Sequence, residues 1–360
     1  MMQKTLRALL PVLALAIGAS SCSEDFDVLA PAKPYTVVYG ILDANEPVNY
    51  VRIQRAYGDP NKSALDIAKL PDSSYFGASE LTVTLQIKDA TGSNFQAVGN
   101  PLERKDLTDK TPGVFFTASK AYEINTKLIP GRTYRLLIKN NTTGNVDTAQ
   151  TAIVDLTGVA ISELDSVLSP NQKIELAPTN PTNPSEDGTY TWRVRQFPQS
   201  PTVKFMDATI RFNFWERTGS GQETPRSVDY TFSRPVNPGG PSWPGMLLSD
   251  KFNNFYQGLI NSLGEAPAGV QRLVDSADFI AYFGSPELYT YQQNLSQTGG
   301  LGGDQIQYRY TNIRGKDVLG VLGSRARLQR TGVDLTDRTV EALKTNSNTA
   351  RANITGRSTQ

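Results

Sequence analysis

The sequence predicts a mainly β protein built as a β-sandwich over 35–155 followed by a second β-rich domain with two or three short helices over 190–330. Three observations carry this. Short runs of alternating apolar and polar residues, rich in β-branched and aromatic types, recur between turn-forming residues. A polar stretch over 156–189 holds Pro170, Pro178, Pro181 and Pro184 and reads as a linker or long loop. Beyond it, two segments carry apolar residues at helical spacing.

In order, the first strands are expected at 35–42 (YTVVYGIL) and 49–55 (NYVRIQR). The run 81–87 (LTVTLQI) places Leu81, Val83, Leu85 and Ile87 on one face. Strands at 114–117, 133–139 and 147–154 complete the set, with turns at 89–92 (DATG) and 141–144 (NTTG). Leu128-Ile129-Pro130-Gly131-Arg132-Thr133-Tyr134 resembles the tyrosine corner of immunoglobulin/fibronectin-III-like sandwiches, in which a tyrosine hydroxyl bonds backbone just upstream. In the second domain, strands are expected at 190–195, 209–216, 230–232, 306–313 and 318–328. One helix is expected over 252–263, capped by Ser249 or Asp250. Another opens at Ser285-Pro286-Glu287, where serine suits the cap and proline the first turn, and ends before Gly299-Gly300. Residues 331–360 read as a polar, frayed tail.

Composition excludes several chemistries. The chain has no histidine and a single cysteine, Cys22. Histidine-dependent triads and thiolate catalysis are thereby unavailable, and so is nearly every zinc site. No metal ligands, cofactor motif or catalytic residues are expected, and the chain reads as a non-enzyme. The segment holding Gly315, Gly320 and Gly323 lacks dinucleotide-fingerprint spacing and reads as a glycine-punctuated strand. Removing residues 1–21 takes away Lys4 and Arg7 and leaves 34 basic against 35 acidic residues, so no basic surplus points to nucleic acid.

The position of Cys22 is informative. Lys4 and Arg7 precede a 12-residue apolar run over 8–19, and the small residues Ala19-Ser20-Ser21 follow. This is the pattern of an export signal, and the run is too short to span a bilayer. Ala19-Ser20-Ser21-Cys22 resembles a relaxed bacterial lipobox. Residues 1–21 are therefore expected to be removed and Cys22 to be acylated. Residues 22–34 would then tether the body to outer-membrane lipid, and two or more acyl chains make such anchoring stable. Ser23-Glu24-Asp25 resembles the signal that sends Bacteroidota lipoproteins to the outside of the outer membrane.

Together these segments resemble an uncharacterised family of Bacteroidota outer-membrane lipoproteins, a domain of unknown function. The resemblance runs from Cys22 to about Gln329. It rests on Val37-Val38-Tyr39-Gly40-Ile41-Leu42 with Pro47-Val48, on Leu128 to Tyr134, and on Ser285-Pro286-Glu287-Leu288-Tyr289. The late segments Tyr310-Thr311-Asn312-Ile313-Arg314-Gly315 and Leu319-Gly320-Val321-Leu322-Gly323 complete it. Family members are commonly encoded beside TonB-dependent transporters. The resemblance thus implies a non-enzymatic accessory role at the cell surface, in substrate capture or channel capping, and it supplies no catalytic residues. The long polar segment before Tyr190 departs from the family pattern.

The alternative is a surface glycan-binding protein or glycoside hydrolase. Trp192, Trp215 and Trp243 are the three tryptophans. The first two lie in expected strands and read as core. Trp243, in the rigid loop Pro241-Ser242-Trp243-Pro244-Gly245, is the candidate binding residue. Glu216 and Asp229 are the only acid/base pair that suggests itself, and their spacing does not select them. Asp147-Thr148-Ala149, Asp165-Ser166-Val167 and Asp275-Ser276-Ala277 match a short acceptor pattern for bacterial O-glycosylation, and equally suit plain turns and strands.

Overall fold

Alternation divides each strand into two faces, and here both faces of one large sheet are used. The computed structural model describes residues 35–56, 66, 74–108, 119–157, 159–160, 173–177, 189–196, 201–232, 245–297 and 310–357. Cys22, Ser23, Glu24, Asp25, Trp243, the tether and the expected strand at 114–117 lie outside them.

The protein is mainly β. A nine-stranded sheet runs in the order β12 (Glu223–Thr231), β11 (Phe205–Arg217), β14 (Gln271–Gly284), β16 (Val318–Val333), β1 (Tyr35–Asp43), β2 (Asn49–Ala56), β6 (Ser119–Ile124), β5 (Glu103–Leu107). Its ninth member, β17 (Ile354–Gly356), also pairs with β14. A second sheet runs β15 (Ile313–Arg314), β8 (Val146–Ala152), β7 (Thr133–Asn140), β3 (Leu81–Lys88), β4 (Phe95–Ala97). A third holds β13 (Gly245–Lys251), β10 (Thr189–Gln196) and β9 (Val159–Ala160). Among the described residues the α-helices are α1 (Phe252–Leu263), α2 (Pro286–Gln297) and α3 (Asp337–Thr345).

The first core forms where the two larger sheets face each other. Val38, Leu42, Val51 and Ile53 from one meet Leu81, Val83, Leu85, Leu136 and Ile138 from the other. Each such side chain, fully buried, contributes about 1.5–3 kcal/mol. The expected tyrosine corner is formed: the Ile129 N–H donates to the Tyr134 hydroxyl at 3.1 Å, and Tyr134 is buried. Tyr134→Phe should lower the unfolding free energy by about 1–1.5 kcal/mol, because the amide loses its acceptor. Urea denaturation with an unchanged midpoint would show that the bond adds nothing.

The second core lies under the other half of the large sheet. Phe212 and Tyr230 pack against Phe255 of α1, with ring centroids 5.5 and 5.0 Å apart. This helix begins after Lys251, not after a capping Ser249 or Asp250.

Two segments expected to be loose are part of this core. In the polar stretch, Ile174 and Leu176 are buried. The Ile174 N–H donates to the Asp334 carbonyl, and the Tyr256 hydroxyl donates to the Leu176 carbonyl. The tail is likewise not frayed. Val333, Leu335, Leu343 and Ile354 join the same core, and Thr336 caps α3 by accepting from the Thr339 N–H. Both segments are mostly polar in composition, so the few apolar side chains that anchor them among the described residues did not stand out.

The two cores do not keep to a division at 155/190: Ile313, Val318 and Leu322 join the first core and Val154 the second, and the large sheet runs through both. Strand β16 pairs parallel with β1 and antiparallel with β14, so the late chain closes onto the first strand. Asn312 secures this return by acting like a short strand. Its side-chain amide donates to the Leu322 carbonyl at 2.7 Å and accepts from the Leu322 N–H at 3.0 Å. The glycine-rich segment is therefore the glycine-punctuated strand that its spacing implied. Of the expected strand at 306–313, residues 306–309 lie outside the described residues, and among 310–313 only Ile313 belongs to a strand.

Candidate functional site: an aromatic cleft beneath α2

Parity along the strands places one set of side chains away from both cores. On β1, Val38, Gly40 and Leu42 point inward, so Tyr39 and Ile41 point out. The pairing Tyr39↔Arg52 carries that outer face onto β2, and Ile41↔Gly323 carries it onto β16. Gly284↔Arg325, Phe205↔Gly284 and Asp207↔Tyr282 extend it across β14 and β11.

Helix α2 lies across this outer face. Leu288, Tyr291, Gln292 and Leu295 recur at i, i+3, i+4 and i+7 and form one stripe toward the sheet. Its close approach is possible because β16 carries Gly323 there: a Cβ at that position would lie 2.4 Å from Leu288 Cγ. Ser285 joins helix to sheet. Its carbonyl accepts from the Tyr289 N–H, the first bond of the helix, and its hydroxyl accepts from the Ser324 N–H.

Beside the helix stays an open cleft of about 610 Å³. That volume falls within the range of small-molecule sites. Its far wall is Tyr39, Ile41, Tyr50 and Arg52, and Phe205, Asp207 and Tyr282 lie at the other end. Of the six large apolar side chains that are most exposed among the described residues, four line it: Tyr39 (42%), Ile41 (46%), Tyr50 (40%) and Leu295 (55%). Exposed apolar surface concentrated in one concavity marks an interaction site more than scattered exposure does.

The polar groups of the cleft are few and defined. Arg325 lies 3.3 Å from Asp43 and stands over the Tyr282 ring at 5.2 Å. Arg52 donates to Ser119 Oγ at 2.7 Å, and the Tyr50 hydroxyl reaches Glu123 at 3.4 Å. Tyr39 and Tyr291 meet edge to face at 6.3 Å. Burial, with the Tyr39 hydroxyl beside it, pushes the Tyr291 phenol up to about 12. Burial also raises the Asp207 carboxyl above its ordinary range, and a hydrogen bond from Gln292 offsets part of that rise.

The Asp207 shift has a consequence for stability. A carboxyl whose folded pKa is raised holds its proton longer in the native state than in the unfolded state. Stability therefore falls as pH climbs through the unfolded value of about 3.9 toward the folded one, and stays reduced above it. Asp207→Asn should raise the melting temperature at pH 7 and leave it nearly unchanged at pH 3. Equal shifts at both pH values would contradict this.

The residues singled out from the sequence fall elsewhere. Glu216 and Asp229 are not a catalytic pair, because they lie on opposite faces of the sheet. Glu216 shares its parity with Phe212 and Phe214 and bonds Arg272, whereas Asp229 pairs across β11 with outward-facing Arg211. That guanidinium holds the Asp229 carboxyl below its ordinary range. Trp215 is not core: it is half-buried on the outer face, with Arg357 stacked 4.8 Å over its ring. The backbone of Trp192 lies in β10. Thr148 and Ser276 of the acceptor triplets sit inside β8 and β14, and Ser166 is outside the described residues. Among the described residues no cluster of three or more His, Cys, Asp or Glu side chains is placed to hold a metal ion. Among them, too, no helix is long and apolar enough to cross a membrane.

The cleft was not evident from the sequence, because its residues come from seven strands and a helix. One signal was present. Tyr39 and Ile41 occupy the polar positions of an alternating strand, as does Tyr50.

No protein-family description matches the chain, and neither does any curated protein. Among solved structures, it is similar at 9% identity to the C-terminal globular domain of an oligosaccharyltransferase from Pyrococcus abyssi. The TM-score is 0.18, over 85% of this chain and 50% of that one. The chain thus spans about half the length of that structure, and so low a score carries no argument about fold or function.

Proposed function

We propose that this protein is a lipid-anchored, non-enzymatic binding protein on the outer face of a bacterial outer membrane, accessory to a TonB-dependent transporter in substrate capture. The observation that carries the binding role is the open aromatic cleft on the outer face of the large sheet. The address is supported by the export-signal pattern ending at Cys22 and by Ser23-Glu24-Asp25 behind it. The order of segments from Cys22 to Gln329 supports membership of the Bacteroidota lipoprotein family described above.

Two experiments test the reading. Cys22→Ser should abolish labelling by radioactive palmitate and release the protein from the membrane fraction. Affinity purification from solubilised outer membrane should recover a TonB-dependent transporter with the protein. Recovery of the protein alone, from membranes in which the transporter is present, would overturn the partnership.

A further inference from the structure

Side chains alone can do the recognising in the cleft beneath α2. The strands that cross it, β1, β2, β11, β14 and β16, are each hydrogen-bonded to a neighbour on both sides. None of these five presents a free edge to which an extended peptide could add, and the sheet's last strand, β5, reaches the cleft only through Leu107. An acyl chain fits poorly as well, since it would cover the Asp207 carboxyl and the Gln292 amide without bonding either. A polyanion would need a concentrated positive field. Arg325 is already engaged by Asp43, and Arg52 donates to Ser119 at the far wall, so the two positive charges are not gathered at one point.

The remaining pattern is specific. Exposed tyrosine rings stand at one wall, and toward the other stand a carboxylate that accepts, Asp207, and an amide that both donates and accepts, Gln292. A pyranose ring has the matching surface: an apolar C–H face that stacks on an aromatic ring, and a rim of hydroxyls that each donate and accept. Five adjacent strands span roughly 19 Å across the sheet. That is long enough for a short chain of rings.

We propose that this cleft binds a neutral oligosaccharide, with sugar rings stacked on Tyr39 and Tyr50 and hydroxyls bonded by Asp207 and Gln292. The inference deepens the capture role and rests on it, but it needs neither the membrane address nor the transporter. It also moves glycan recognition away from Trp243.

The test is a glycan array probed with the purified full-length protein in detergent, followed by calorimetry on the best ligand. Neutral, acidic and amino-sugar glycans form separate arms, and a peptide library is a further arm. Binding to neutral oligosaccharides is expected. Tyr39→Ala, Tyr50→Ala and Gln292→Ala should each weaken it at least about tenfold, as truncating a central contact does, with the melting curve retained. Trp243→Ala should bind as the parent does. If a tyrosine variant fails to melt cooperatively, Gln292→Ala decides alone, because it removes one partly exposed amide. Binding to no glycan, preference for acidic glycans or peptides, or full retention by the cleft variants would overturn the proposal. So would loss in Trp243→Ala. No transporter is present in this experiment, so its outcome is separate from that of the affinity purification.

Discussion

Replacing Arg272 with alanine should lower the unfolding free energy by about 3–5 kcal/mol, the cost of removing one partner from a buried charge network. The guanidinium is only 5% exposed, and its Nε lies 3.1 Å from Glu216. Its other nitrogens donate to the carbonyls of Leu263, Gly264 and Glu265, where α1 ends, and to that of Ala352. A helix C-terminus leaves carbonyls unpaired and carries partial negative charge, so a buried fork of donors meets both needs at once. Arg272→Lys keeps the charge but not the planar fork, and should recover only part of the loss. Urea denaturation measures both variants. Loss below about 1 kcal/mol for Arg272→Ala would show that water replaces the fork without cost.

Gly320→Ala should be at least as damaging, and for a different reason. Gly320 has φ of +116°, and an added Cβ would lie 1.9 Å from the Val38 carbonyl oxygen. Val38↔Gly320 is a pair in the parallel register between β1 and β16. The new atom therefore meets backbone that cannot step aside without breaking the ladder joining the two halves of the sheet. Strain of this kind together with a lost strand contact places the expected cost at about 3 kcal/mol or more. Gly332→Ala is the control. It also has positive φ, +66°, but nothing lies within 4 Å of the added atom. It should cost only about 1–2 kcal/mol, the backbone term alone. Equal melting temperatures for the two variants would show that the close approach to Val38 is not what requires glycine at 320.

The strands that were legible are those with one wet and one dry face. The runs that became β2, β3, β7 and β11 alternate, and that of β1 was read from its β-branched and aromatic residues. Strand β14, the centre of the second half, was missed for the opposite reason. Residues 277–284 are buried on both faces except at Asp278 and Tyr282, so no alternation survives. Its register also shifts where Asn213 and Phe214 face it, which breaks the period further. Helices α1 and α2 were visible from spacing and from Ser285-Pro286. Helix α3 was not, because two of its buried positions, Thr339 and Leu343, are one polar and one apolar.

By itself the sequence determined what depends on local order: the alternating strands, the tyrosine corner, the absence of histidine and of a second cysteine, and the export-signal pattern that ends at Cys22. These are properties of neighbours along the chain or of simple counts. Only the tertiary structure decided that the last long strand closes against the first, that the polar stretch at Ile174 and the tail at Leu343 fill the second core, and that Tyr39, Tyr50, Asp207 and Tyr291 share one cleft. Parity tells which side of its own strand a residue faces. It does not tell which strand lies beside it, and the cleft exists only because β1, β2, β11, β14 and β16 became neighbours under one helix.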